Sequence, residues 1–238
     1  MQRRESIQTL LGGGLALGLA ASVSAADLSI RVTNLTRGLY FTPLLLASHS
    51  PAASVFTSGE PASASLQAMA EGGDISALSA ELGALGATVV ENPAGGLLGP
   101  GASAQASINT DGAPDNVRLS LVAMLLPSND GFVGMNSVAI PTEPGTYSYD
   151  VNAYDAGTEA NDEVRGSGAP GMPGFPAPGP VADASGTGGS GIAATAEGFI
   201  HIHRNVIGDT NAIGGNSDID ALVHRWLNPV ARVQITVR

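Results

Sequence analysis

Four carboxylates fall within nine residues, Asp155, Glu159, Asp162 and Glu163, directly after the alternating run Thr146 to Ala153. Another, Asp130, sits in Pro127-Ser128-Asn129-Asp130-Gly131-Phe132-Val133-Gly134, after the strongly apolar run Val117 to Leu126. If both runs are strands that finish at the same end of a sandwich, their loops can surround a hard cation. Backbone carbonyls and waters then complete the roughly six to eight oxygens that calcium takes. Asn34, Asp111 and Asp115 are further oxygen donors in strand-flanking segments. The competing reading is plain turn chemistry, since Asx residues and Asp-Gly pairs start turns on any surface, and no EF-hand spacing is present.

His201 and His203 flank Ile202, so on a strand both imidazoles point to one face, beside Phe199. That spacing can supply two nitrogens to zinc or copper, with His224 or His49 as a third ligand. If Ile200 and Ile202 face the core instead, the two histidines face solvent or a shallow groove and need no metal. Asp209, Asp218 and Asp220, near Gly208, Gly214 and Gly215, can hold an ion but fit turn chemistry better. Catalytic templates are absent: no G-x-S-x-G elbow, no phosphate-binding G-x-x-x-x-G-K-[ST], and no spacing that nominates a triad. The expectation is a binding module rather than an enzyme.

Composition narrows the field further. All ten basic residues are Arg, and 21 acidic residues give a formal charge of −11. With no basic footprint for gripping phosphates, nucleic-acid binding is excluded. The absence of Cys removes thiol catalysis, thiolate zinc sites and iron–sulfur clusters. One Trp and nine other aromatics leave little for a carbohydrate-stacking platform. Arg3 and Arg4, the apolar stretch Leu10 to Ala21 and the small residues Ser22 to Ala26 read as a secretory signal peptide over residues 1–25. The protein is therefore expected to be secreted or periplasmic, with no transmembrane segment once that peptide is removed.

The elements that must position these side chains are mostly strands. Leu28, Ile30 and Val32 alternate with Ser29, Arg31 and Thr33. Further strand patterns cover Leu39 to Leu46 (interrupted at Pro43), Ala87 to Val90, Ala104 to Ile108, Val117 to Leu126, Thr146 to Ala153, Gly198 to Arg204 and Val230 to Val237. A helical excursion occupies about 63–86: Ser65 to Glu71 is stopped by Gly72-Gly73, and Asp74 caps a second helix carrying Ile75, Leu78, Leu82 and Leu85. Residues 166–191 hold nine Gly and five Pro, too many for a core element, and read as a flexible insertion within one domain spanning 26–238.

Taken in order, several stretches resemble the spondin N-terminal domain family. They are Arg31-Val32-Thr33-Asn34-Leu35-Thr36, Phe41-Thr42-Pro43-Leu44-Leu45-Leu46-Ala47-Ser48-His49, Leu66-Gln67-Ala68-Met69-Ala70-Glu71-Gly72-Gly73-Asp74, the 127–134 loop, Tyr154-Asp155-Ala156-Gly157-Thr158 and Asn228-Pro229-Val230-Ala231-Arg232-Val233. The resemblance implies an all-β fold, an antiparallel β-sandwich of about eight strands, and an extracellular adhesion role with calcium held among loops at one end. It implies Asp130 and Asp155 as metal ligands, and Asp111 as the third, with Asp115 its competitor. Two departures stand out: position 131 is Gly where the animal domains carry Trp, and their disulfide cysteines are missing. The function expected on this basis is an exported, calcium-binding adhesion or surface-interaction module. Its partner would be an extracellular or cell-surface protein or glycan. A periplasmic zinc or copper enzyme built on His201 and His203, and an envelope protein with a purely stabilising ion, are the alternatives.

Overall fold

The computed structural model describes residues 27–238, so the signal peptide expected over 1–25 lies outside the described residues. In chain order the elements are β1 (Asp27–Asn34), β2 (Tyr40–Phe41), β3 (Leu45–His49), α1 (Ala64–Gly72), α2 (Ser76–Ala84), β4 (Thr88–Glu91) and β5 (Ser103–Asn109). After these come β6 (Arg118–Leu126), β7 (Gly131–Ala139), β8 (Gly145–Asp155), α3 (Pro180–Ala184), β9 (His201–Ile202) and β10 (Ala231–Val237). The main strands run β4-β3-β6-β7-β8-β10-β1-β5, every pairing antiparallel. The two edges, β4 and β5, come back against each other, so the eight-stranded sheet is nearly closed. This is the all-β, antiparallel architecture of about eight strands that the resemblance implies.

Its interior follows from the period-two alternation. Leu28, Ile30 and Val32 of β1, Val233, Ile235 and Val237 of β10, and Leu119, Leu121, Ala123 and Leu125 around β6 all enter one buried cluster. A second apolar layer covers the other face of β3, β6 and β7. There Val122, Met124 and Phe132 meet Leu66 and Met69 of α1 and Leu78 and Leu82 of α2. Because helices cover that outer face, β6 is apolar on both sides, which explains its unbroken hydrophobic run.

The helical excursion sits where the stop signals put it. Ser63 caps α1 by accepting from the Leu66 amide at 3.1 Å, and Gly73 ends it in the left-handed conformation at φ 71°. Asp74 accepts from the Ser76 amide at 2.9 Å but stands one residue ahead of Ile75, the N-cap of α2, and Leu85 ends up exposed rather than on the buried stripe.

Three segments differ from expectation, the first being Gly198 to Arg204, where only the two-residue β9 forms. β7 has no strand signature in the sequence, because Gly131, Gly134, Asn136 and Ser137 interrupt any alternation, yet it is a central strand between β6 and β8. The segment 166–191 also departs, since it does contribute to the core. Phe175 and Val181 are fully buried, and α3 forms within it. Acceptors from the surrounding frame hold its backbone: Glu71 takes the Gly171 amide, Glu159 the Gly174 amide and Asp218 the Gly189 amide. Glycine and proline content predicted the absence of long elements there, and missed that one aromatic and three carboxylates pin the chain.

Candidate metal centre

The chemistry gathers where β6, β7, β8 and β9 end together. Gly131 of β7 is paired with Asp155 of β8, and Asp155 is paired with His201 of β9. Directly paired residues project to the same side of a sheet, so this register brings Asp155 beside His201 and places Asp130 one residue beyond. The turn between β6 and β7 is set by Ser128, whose hydroxyl donates to the Leu125 carbonyl at 2.6 Å and accepts from the Gly131 amide at 3.1 Å. Asn129 joins this turn to the loop after β8. Its amide nitrogen donates to Glu159 and Asp162 at 2.8 and 2.7 Å, and its oxygen accepts from the Glu163 amide at 3.0 Å.

Asp130 and Asp155 are both fully buried and face unlike surroundings. Asp130 Oδ2 accepts from the Thr158 and Glu159 amides at 2.7 and 3.1 Å, while its buried Oδ1 has no partner. Burial and then the charge of Asp155 push the Asp130 carboxyl up to about 8, against the pull of those two amides. Asp155 Oδ1 accepts from the Gly157 amide and Oδ2 from the Asn161 side chain, each at 2.8 Å. Gly157, at φ +68°, packs so closely that a Cβ there would lie 2.4 Å from the Phe199 carbonyl oxygen. That contact makes the Y-D-A-G-T turn a glycine-only position.

The two histidines do share a face, and it is the Asp155 face. His201 Nε2 lies 3.7 Å from Asp155 Oδ1, and His203 Nε2 lies 3.8 Å from Oδ2. Ile200 is buried but Ile202 is 43% exposed, so only the first of the two isoleucines joins the core. His203 is enclosed against Trp226, with ring centroids 5.0 Å apart, and its burial holds the imidazole pKa below the usual value. Its ring also occupies the space beside Gly131, where a Cβ would meet His203 Cδ2 at 2.9 Å. The smallest residue at 131 and the histidine at 203 therefore go together.

The remaining expected ligands lie elsewhere. Asp111 lies two residues beyond Asn109, the end of β5, which pairs with Asp27 of β1; the neighbouring Leu28 pairs with Val237 of β10, and Val237 with Gly145 of β8. Gly145 and Asp155 are opposite ends of an 11-residue strand. At roughly 3.3 Å per residue that sets Asp111 about 30 Å from the centre. It is exposed and bonded to Asn109, and Asp115 lies in the same connection. The structure thus brings Asp130 and Asp155 together and leaves Asp111 and Asp115 at the far end. His49 pairs with Arg118 at the start of β6, also far from the centre, and its Nε2 bonds Ser120 at 2.7 Å. Asn34 spends its side chain on the turn, donating to the Leu39 and Leu98 carbonyls and accepting from Thr36.

Glu197 is the acidic group that sequence reasoning missed, and Glu159 one that it named only within the acidic run. Glu197 meets Asp155 and His201 such that one ligand atom from each lies within 4.8 Å of the others. It stands in a Gly/Ala-rich stretch with no pattern, and only the β8–β9 pairing puts it there. Glu159 belongs to the acidic run but carries its own signature, a buried, unpartnered Oε2 and a carboxyl raised to about 7 by burial.

Comparison with known proteins bears on the same residues. The family model described as Spondin_N matches residues 33–173, more than half of the chain. The matched stretch includes Asp130 and Asp155, and it stops short of Glu197, His201 and His203. No curated protein matches the chain.

Proposed function

The chain belongs to the spondin N-terminal domain family, and from that premise we propose that it is an extracellular adhesion-type module whose loop end is held by a calcium ion on Asp130 and Asp155. One observation carries the ion: a fully buried carboxylate oxygen, Asp130 Oδ1, has no donor and stands beside a second buried carboxylate. Two such groups cannot both ionise cheaply in a low-dielectric site, so a proton or a cation must accompany them. A divalent ion supplies the charge that lets both ionise, in oxygen-rich surroundings of the kind calcium takes.

Asp130 then fastens the turn after β6 to the loop after β8 through the Thr158 and Glu159 amides, and Asp155 fastens that loop to β9. Pinned in this way, the loop end offers a fixed surface to an extracellular or cell-surface protein or glycan, and the module acts by binding rather than by catalysis. Export is part of this reading. Among the described residues no helix is long and apolar enough to cross a membrane.

The test is thermal melting with chelator and with calcium restored. Calcium that binds only the folded state raises the melting temperature by mass action, by about 2.7 kcal/mol of stability at 100 times Kd. Asp130→Asn should keep the fold and lose this response. A calcium response that survives in Asp130→Asn would defeat the assignment.

A further inference from the structure

We infer that Asp155, Glu197 and His201 form a second cation site, for a divalent ion of the zinc class, at the mouth of a cavity of about 110 Å³. The argument starts with the tautomer of His201. Its Nδ1 lies 2.9 Å from the Ile202 carbonyl oxygen, an acceptor only, so Nδ1 carries the proton and donates. In the neutral imidazole Nε2 then carries the lone pair, and that atom is buried without a hydrogen-bond partner. It faces Asp155 Oδ1 at 3.7 Å, with a Glu197 carboxylate oxygen close by. Three electron-pair donors converge, with the Asn161 amide reaching the two carboxylates but nothing donating to His201 Nε2, and a cation makes such an arrangement favourable.

The spacing suits the ion. Ligands about 2.1 Å from a tetrahedral zinc stand roughly 3.4 Å from one another, so atoms already within 4.8 Å need only a small closing movement. An imidazole nitrogen with carboxylates favours zinc over calcium, which takes oxygens alone. The surroundings have the form of outer-shell support: the Ile202 carbonyl fixes the His201 tautomer, and the Asn161 amide donates to Asp155 at 2.8 Å and to Glu197 at 3.5 Å.

His203 belongs to that support and is not a ligand. Its Nδ1 accepts from the Asn205 amide at 3.0 Å, so Nε2 carries the proton. The side chain is 3% exposed and aims this donor at Asp155 Oδ2 from 3.8 Å, still unpartnered. Asp155 can serve both ions. Each oxygen accepts one N–H and keeps a lone pair, so the carboxylate can bridge the deeper cation beside Asp130 and the outer one beside His201. Three protein ligands leave one position on the outer ion open to the cavity.

The inference shares Asp155 with the calcium reading but does not depend on it, and the experiment separates the two. The untagged full chain is titrated with zinc, and with cobalt as a visible-absorbing probe, while calcium-dependent melting is followed in parallel. The expected result is one zinc per chain and a four-coordinate cobalt spectrum. His201→Gln should weaken zinc by on the order of 100-fold, and Glu197→Gln by about 10-fold, since even outer-shell changes cost about 10- to 100-fold in affinity. Both variants should retain the wild-type circular dichroism and the calcium response, whereas Asp130→Asn should lose calcium and keep zinc. Zinc uptake no tighter than about 1 mM in the wild type, or unchanged in His201→Gln, overturns the site. Loss of zinc in Asp130→Asn would mean a single shared ion and overturn it equally. A wild type that ignores calcium but binds zinc through His201 would remove the calcium reading and leave this one standing.

Discussion

Glu163 and Asp130 are both buried carboxylates near one end of the molecule, and their surroundings are opposite in kind. Glu163 Oε1 accepts from the Ile207 amide at 2.5 Å, and Oε2 accepts from the Gly208 amide and the Ser217 hydroxyl, both at 2.7 Å. Asp218 is similar, with the Gly189 and Arg165 amides on its two oxygens at 2.8 Å each. Asp130 has donors on one oxygen only and another acid beside it, while Asp155 adds two imidazoles. Burial is common to all four, so burial does not mark a ligand site. What sets Asp130 and Asp155 apart is the acid or imidazole that stands beside each. Carboxylates wrapped by amides hold loops in place, and carboxylates that face other electron-pair donors are poised for a cation.

The comparison breaks most readily at Glu163. Removing it leaves two amides and a hydroxyl buried without an acceptor, so Glu163→Ala should cost about 3–4 kcal/mol in urea unfolding. The loss should be the same with calcium and with chelator. A calcium-dependent loss would move Glu163 into the metal centre and erase the distinction.

Asp130→Asn is the complementary test. The amide keeps an oxygen for the Thr158 and Glu159 amides, so the calcium-free protein should lose less than about 1 kcal/mol, while the calcium stabilisation of about 2–3 kcal/mol vanishes.

A pH series sharpens the same point. Asp130 is raised to about 8 from 3.8 by burial and then by Asp155, and Glu159 to about 7 by burial. Between those limits the folded chain holds protons that the unfolded chain has released, so calcium-free stability should fall as pH rises from 4 to 8. The slope should amount to about 2 kcal/mol once loop relaxation is allowed for, and calcium, by replacing the proton, should flatten it. Stability that rises with pH in chelator over this window would contradict the assignment. The smallest effect belongs to an exposed acid. Asp150 accepts twice from Arg232 at 2.8 and 2.9 Å, and with both side chains half exposed Asp150→Asn should change stability by no more than about 0.5 kcal/mol.

Much of this molecule was legible one strand at a time. β1 and β10 announced themselves because each has one face in the core and one outside, which writes a period of two into the residues. The C-terminal end of α1 was equally plain, since Gly73 answers a local backbone need, whereas the Ser63 cap lies two residues before the expected start at Ser65. β7 was not legible, because its role is to lie between β6 and β8, and glycines and polar residues interrupt it where rings and His203 pack closely. Residues 166–191 hid for a related reason: their anchors, Glu71, Glu159 and Asp218, lie elsewhere in the chain.

The acids follow the same division. Loop positions pointed to Asp130 and to the acidic run after Thr146 to Ala153, and the family resemblance narrowed that run to Asp155. Strand order and register decided the rest. They carried Asp111 to the opposite end, brought Glu197 from a featureless stretch to within ligand distance of His201, and turned His203 inward. Local sequence dictates backbone state and which face is apolar, since those depend on neighbours a few residues away. Which acid meets which imidazole depends on contacts between strands far apart in the chain, and only the folded sheet sets those distances.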